Sequence, residues 1–388
     1  MSGRIREADI AAGSNLLVLG GGFGGAACAI EAAGLLGGEH RVTLVDRQRV
    51  SYLCGANPFL IVGEREPQAM SRSLEDLPVN GVRFSAAEIE SIDLNDKVVH
   101  TSAGVEPYDY LVVALGAGYD WERVPGSKEA YSFYNHESAL RLQERLASFE
   151  GGSVVIGVAG SPIKCPPAPF ETAMVIEWAL QRRGIEADVH VAIPEPAPLK
   201  VAGPEASDRL RAIFENRGIM LHTGAGVAAV DGSTMVLGDG TELAATIPIT
   251  IPVHRMPAVV VDAGLAGHKS WVPVDRATLE TSHSDVFAVG DVNVIPVGEV
   301  AVPKAGVFAA GEGRTVARVI ASRVLGTRPP DPYDGVGHCL IAFSGTESAS
   351  VGGDFFADGG PAVALGEPTP GGLADKEDFE ARWRAFTI

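Results

Sequence analysis

The sequence is poor in cysteine, in basic residues relative to acidic ones, and in long apolar runs, and each shortage excludes a class of protein. Its four cysteines, Cys28, Cys54, Cys165 and Cys339, are too few and too widely spaced for a disulfide-stapled scaffold, and no CxxC pair points to zinc. Lys and Arg number 31 against 49 Asp and Glu, and the formal charge of -18 disfavours nucleic acid and anionic lipid as long-range partners. No run of about 18 apolar residues is present, so no helix is expected to span a membrane. Met1 to Asp9 lack the apolar stretch of a secretory signal. The expected location is therefore cytoplasmic, with peripheral membrane attachment open, and periplasmic only if an export signal has been removed. His136, His222, His254, His283 and His338 show no ligand spacing, so no metal site is expected.

Glycine and proline, by contrast, are plentiful at 47 and 25 positions, and hydrophobic residues make up 46% of the chain. That is the composition of a globular protein punctuated by turns. A chain of 388 residues exceeds one ordinary core and points to two intertwined domains plus a tail.

The apolar run Asn15 to Leu19 ends in Gly20-Gly21-Gly22-Phe23-Gly24-Gly25, and Ala26 to Leu36 reads as a helix. Gly20, Gly22 and Gly25 stand in GxGxxG register, which lets the backbone approach a pyrophosphate at a helix N-terminus. The next strand, Arg41 to Val45, delivers Asp46 about 20 residues past the motif, where a carboxylate binds a ribose hydroxyl. Cys28, on the first helix, reads as a small core residue. Two more stretches bear on the ligand. Tyr108 to Ala117 is a buried strand ending in a small-residue turn with Ala114 and Gly116, and Ser284 to Asp291 is a strand that delivers Gly290 and Asp291 at its end.

Together these stretches resemble the two-dinucleotide-binding-domain flavoproteins over nearly all of the chain. The resemblance implies FAD, with Asp291 on its ribityl or pyrophosphate portion. It also implies an α/β fold of two Rossmann-like domains of the glutathione-reductase type. The expected division gives residues 1–118 and 255–328 to a discontinuous FAD-binding domain, 119–254 to a second Rossmann-like domain, and 329–388 to a C-terminal segment.

The second domain opens with a strand, Gly151 to Val158, where relatives that use NAD(P)H carry another glycine fingerprint. Here Gly157-Val158-Ala159-Gly160-Ser161-Pro162 begins like one and then fails, because Pro162, Pro166 and Pro167 remove backbone donors that a phosphate cradle would use. A helix (Ala168 to Arg183) and a strand (Ala187 to Ile193) follow, so the unit persists as scaffold.

Lys164-Cys165-Pro166-Pro167-Ala168-Pro169-Phe170-Glu171 resembles the cysteine-proline motif of the sulfide:quinone oxidoreductases and of the flavin subunit of flavocytochrome c sulfide dehydrogenase. In that group a second cysteine comes from the C-terminal region, and Gly337-His338-Cys339-Leu340-Ile341-Ala342-Phe343 supplies it. The resemblance implies that Cys165 and Cys339 face each other beside the flavin. A disulfide there would accept a sulfide or thiolate, and two electrons would pass from sulfur to FAD. Two buried cysteines without a shared role are the plain alternative.

The resemblance also makes Glu171 an acid/base for the thiol steps. Its plain reading is a glutamate in the first turn of a helix, where anions are favoured. Lys304 is implied to lie near the flavin pyrimidine edge, where a cation stabilises reduced flavin; a solvated lysine is the alternative. Cys54 stands where the flavocytochromes place a cysteine bonded covalently to flavin, although its Ala56-Asn57-Pro58 setting is closer to the quinone-linked enzymes. A covalent cysteinyl-FAD and a free thiol near the cofactor both stand.

Phe379, Trp383 and Phe386 recur at helical spacing near the C-terminus. That stripe reads as core, as a homodimer contact, or as a short interfacial anchor. The expected activity is oxidation of sulfide, or of a related persulfide or thiol, with electrons passed to quinone. A cytochrome c acceptor, a type II NADH dehydrogenase and a flavin-based redox sensor are the alternatives.

Overall fold

A computed structural model describes residues 13–388; Met1 to Asp9, read above for an export signal, lie outside the described residues. The run Asn15–Leu19 forms the central strand of a five-stranded parallel sheet. It lies between Arg41–Asp46, which pairs onward with Val82–Ala86, and Tyr110–Val113, which pairs onward with Val286–Ala288. Its strands Asn15–Leu19, Tyr110–Val113 and Val286–Ala288 are nearly continuous apolar runs, as parallel strands covered on both faces must be, while the edge strand Val82–Ala86 carries Arg83 and Ser85. The helix Phe23–Leu36 packs its alanines against Gly306–Leu325, and Cys28 is fully buried between them. Burial and Glu31 push its thiol up to about 12, so it is an inert core residue.

A second parallel sheet runs Met220–Thr223, Ala187–Ile193, Gly152–Val158, Ile247–Ile251, with the helix Ala168–Arg182 packed on it. The chain passes between the two sheets through an antiparallel ribbon, in which Tyr119 lies opposite His254. The architecture is thus two Rossmann-like α/β units, the first interrupted by the second.

Past the helix Gly306–Leu325 the chain makes a three-stranded antiparallel sheet of Val336–Ala342, Ser348–Asp354 and Ala362–Leu365, then the helix Pro370–Arg384. Thr369 caps that helix, its side chain accepting the Gly372 N–H at 2.9 Å, and Pro370 fits its first turn. Trp383 is 1% exposed and Phe379 is half-buried against Phe23, with ring centroids 6.2 Å apart. The aromatic stripe therefore faces the protein's own core. Phe386 lies beyond the helix end, in left-handed backbone, its ring under the Arg72 guanidinium. Among the described residues no helix is long and apolar enough to cross a membrane.

Candidate active site

Gly20 follows the first strand with φ +101, and a Cβ there would stand 2.4 Å from the Ala114 carbonyl oxygen. At Gly25 a Cβ would come within 1.8 Å of the Gly20 carbonyl oxygen. Strand, turn and helix can close on one another only because both residues are glycine. At Gly22 a Cβ would meet nothing, so that stretch of backbone faces open space. The helix behind it has no side-chain cap and no acid in its first turn, which leaves its N–H groups and positive end free for an anion. Asp46, at the end of the second strand, accepts the Gly21 N–H at 2.7 Å and the Gln48 N–H at 2.8 Å. It braces the turn from the side where a ribose would lie.

From this turn one cavity of about 280 Å³ extends along the ends of the first sheet into the second unit. Gly22, Phe23 and Gly24 line it at the turn, followed by Ala114, Gly116, Gly290 and Asp291 from the other two motifs. Lys304, Cys54, Cys165, Glu171 and Cys339 line the same cavity. Gly20, Gly25 and Asp46 lie behind the turn and do not line it. Most of the residues singled out in the sequence therefore meet in one place, although they come from stretches spread from Gly22 to Cys339.

Charge in this cavity is arranged in two groups. In the first, burial raises the Asp291 carboxyl, and Lys164 and Lys304 oppose that shift. Lys304 donates from Nζ to the Asp291 and Asn293 carbonyl oxygens at 2.7 and 2.8 Å and lies 3.7 Å from the Trp271 ring centroid. Burial lowers its ammonium to about 8, and Asp291 and Glu312 work against that. It stands two residues before the helix Gly306–Leu325 and is buried, not solvated. Sequence reasoning missed Glu312: it is 3% exposed, and its Oε2 accepts from the Gly290 N–H at 2.6 Å and Asn293 Nδ2 at 2.7 Å. Burial pushes its carboxyl up to about 8. Lys164, also missed, sits with Nζ 5.0 and 5.8 Å from the Tyr119 and Tyr134 ring centroids. Burial alone would lower its ammonium; Tyr119, Cys54 and Asp291 reverse that and raise it.

The second group surrounds the cysteines. Cys165 has left-handed backbone, φ +52, and its N–H donates to the Lys304 carbonyl oxygen at 2.7 Å, which ties the proline loop to the first unit. Its own carbonyl accepts the Ala168 N–H at 2.9 Å at the start of the helix Ala168–Arg182, so the cysteine sits at the positive end of that helix. Cys339 comes from the strand Val336–Ala342, opposite Val351. Both cysteines are half-buried free thiols. Burial and then the neighbouring Cys339 raise the Cys165 thiol, while burial pushes the Cys339 thiol up to about 12.

Glu171 is 2% exposed, although it stands in a helix first turn. It is not a surface glutamate: its Oε1 accepts the Ala342 N–H at 2.9 Å and the Lys376 ammonium at 2.9 Å. Burial raises its carboxyl and Lys376 opposes the rise. Lys376, in the C-terminal helix, is the main residue the sequence reading missed. Its spacing gave the one available signal, because it stands three residues before Phe379 and seven before Trp383, on the same buried stripe. Cys54 lies in a short helical turn, Cys54–Ala56, within the electrostatic reach of Lys164.

The open glycine turn, the uncapped helix end, Asp46 and the buried Asp291 fit a dinucleotide carrying a flavin, and these residues would hold FAD from pyrophosphate to ribityl chain. In the second unit the corresponding turn is walled by prolines, and the helix behind it starts with Pro167 as its cap and Pro169 inside it.

Fold and site together define an oxidoreductase of the flavoprotein class. The chain belongs to the pyridine nucleotide-disulphide oxidoreductase family, whose model matches residues 14–313. It is similar to the mitochondrial sulfide:quinone oxidoreductase of Mus musculus, at 23% identity over 342 residues, covering 84% of this chain and 75% of that protein. It is also similar to the type II NADH:quinone oxidoreductase of Staphylococcus haemolyticus, at 25% identity over 81% of this chain and 84% of that protein. The crystal structure of the sulfide:quinone oxidoreductase from Aquifex aeolicus superposes with a TM-score of 0.85 at 26% identity, covering 96% of this chain and 91% of that one.

Proposed function

We propose that this protein is an FAD-dependent sulfide dehydrogenase that oxidises sulfide, or a related persulfide or thiol, at Cys165 and Cys339 and passes the electrons to quinone. One observation carries the reading: two cysteines, one from the middle of the chain and one from near its C-terminus, line the cavity that begins at the glycine turn. In this reading FAD binds to residues 1–118 and 255–328, the degenerate unit occupies 119–254, and 329–388 brings the second cysteine.

FAD, when bound, supplies a two-electron acceptor that is reoxidised by the second substrate. The chain's residues do the rest. The oxidised form joins Cys165 to Cys339 in a disulfide. Hydrosulfide attacks one sulfur, breaking that bond, forming a persulfide and releasing the other cysteine as thiolate, with no net change in electron count. The helix end behind Cys165 opposes the rise that burial and Cys339 impose on its thiol. Glu171, in the same cavity as both cysteines, takes the proton that leaves a thiol or persulfide and can return it. Lys304 and Lys164 line the same cavity and would stabilise negative charge on the reduced cofactor there.

Replacing Cys165 or Cys339 by serine should abolish anaerobic bleaching of the flavin by sulfide while leaving its visible spectrum intact. Bleaching at the unaltered rate in either variant contradicts this mechanism. Cys54 lines the cavity as well, which favours a second reading in which it holds FAD covalently and the acceptor is a cytochrome c. Acid precipitation decides this: yellow colour retained in the pellet and lost in Cys54→Ser supports the bond. The quinone acceptor goes with peripheral attachment at a cytoplasmic membrane surface, the cytochrome with an exported protein.

A further inference from the structure

Glu380 has no part in the chemistry above, yet it is 7% exposed and lines the same cavity. Its Oε2 takes the Arg65 Nε–H at 2.8 Å, while its Oε1 is buried without a hydrogen-bond partner. One helical turn earlier, Lys376 spends two of its three N–H bonds on Glu171 Oε1 at 2.9 Å and the Leu340 carbonyl at 3.0 Å. The third is left for the face it shares with Glu380. Beyond Glu380, the Arg65 guanidinium also reaches Glu377 Oε1 at 3.3 Å, and the Glu377 side chain is 56% exposed. Ionisable groups thus run from the cysteine end of the cavity towards solvent, and Lys376 and Glu380, one helical turn apart, face each other across the one step that no hydrogen bond spans.

We propose that Glu380 is the outlet for protons released at the cysteine pair, passing them from Glu171 through Lys376 to water at Arg65 and Glu377. The proposal rests on the sulfide reading and assigns a residue that reading leaves idle. When the persulfide formed by hydrosulfide loses its S–H proton, that proton goes to Glu171. Lys376 turns its ammonium to the unpartnered Glu380 Oε1, gives it a proton and recovers one from Glu171 on returning, so its charge is unchanged. Glu380 then releases the proton to solvent beside Arg65, and no electrons move along this path. Glu380 acts through Lys376 and Glu171 and does not touch the substrate.

The test is rapid mixing of the FAD-loaded full chain with sulfide under anaerobic conditions. Flavin absorbance and a pH dye in weak buffer are followed together, in H₂O and D₂O. Glu380→Gln should slow flavin reduction and proton release together by about tenfold or more, in the range by which proton-transfer groups contribute. It should also raise the solvent isotope effect and shift the pH profile of the rate. Glu380→Asp, which keeps the charge, should recover most of the rate; if Glu380→Gln loses its flavin, Glu380→Asp with a raised isotope effect carries the same result. Wild-type rates and isotope effect in both variants overturn the proposal. Failure of sulfide to bleach the wild-type protein is a different outcome, and it defeats the sulfide reading and the outlet together.

Discussion

Two charged residues buried against each other govern how the cysteine end of the cavity responds to substitution. Glu171 and Lys376 expose only 3% and 6% of their side chains and pair at 2.9 Å. Removing one partner leaves the other charge buried without compensation, a loss of about 3–5 kcal/mol. Lys376→Met should therefore lower the urea-unfolding free energy by that amount, while Lys376→Met with Glu171→Gln should recover much of it. An additive pair of losses would show that the two do not act as a unit.

Glu312 makes a different prediction. Its carboxyl titrates at about 8 in the folded chain against an ordinary value of 4.5, so the folded state holds a proton that the unfolded state gives up in between. Stability from this group is complete below that window and is lost as pH rises through it. Glu312→Gln should flatten the fall in melting temperature between about pH 5 and pH 8; an unaltered slope refutes the assignment. At this scale the sequence shows residue types but not environments. Glu171 was legible as a first-turn acid, whereas its burial depends on a lysine from the far end of the chain.

Among the elements, the glycine turn was the most legible, because its requirements are local: φ +101 at Gly20 and a carbonyl 1.8 Å from any Cβ at Gly25. Gly25→Val should abolish FAD retention through gel filtration, and a variant that stays yellow contradicts the packing argument. The C-terminal helix was less legible. A stripe of Phe379, Trp383 and Phe386 has the same period whether it meets a core, a second copy or a membrane. Tertiary contacts settle which face of this chain it meets. The Arg72 guanidinium lies between the Trp383 and Phe386 rings, 4.3 and 3.9 Å from their centroids, and donates to the Trp383 carbonyl. Burial lowers that guanidinium to about 9. Trp383→Ala should cost about 3–5 kcal/mol in urea unfolding; a loss below about 1 kcal/mol would mean that the helix is not part of the core.

Across the whole molecule, two copies of one strand-turn-helix plan have been put to different uses. The first keeps glycines at its turn and an open helix end. The second keeps the sheet, with Gly152–Val158 and Ala187–Ile193 side by side, but fills the turn with prolines. Pro162 and Pro166 wall a second cavity of about 340 Å³ at those strand ends, where the phosphates of a second dinucleotide would need backbone N–H groups. This contrast was visible in the sequence, since proline acts through its own backbone. That Cys339 and Cys165 line one cavity was not, because a loop and a distant strand come together only through packing of the whole chain. Resemblance to a family, not spacing, put the two cysteines together in the sequence reading.

Sulfur donor or nicotinamide donor is therefore the question on which the account turns. Anaerobic titration of the purified yellow protein with sulfide, and separately with NADH, answers it from the flavin absorbance alone. The account predicts full bleaching by about one equivalent of sulfide, as a two-electron donor requires, and no bleaching by excess NADH over the same time. Rapid bleaching by NADH with none by sulfide would contradict it.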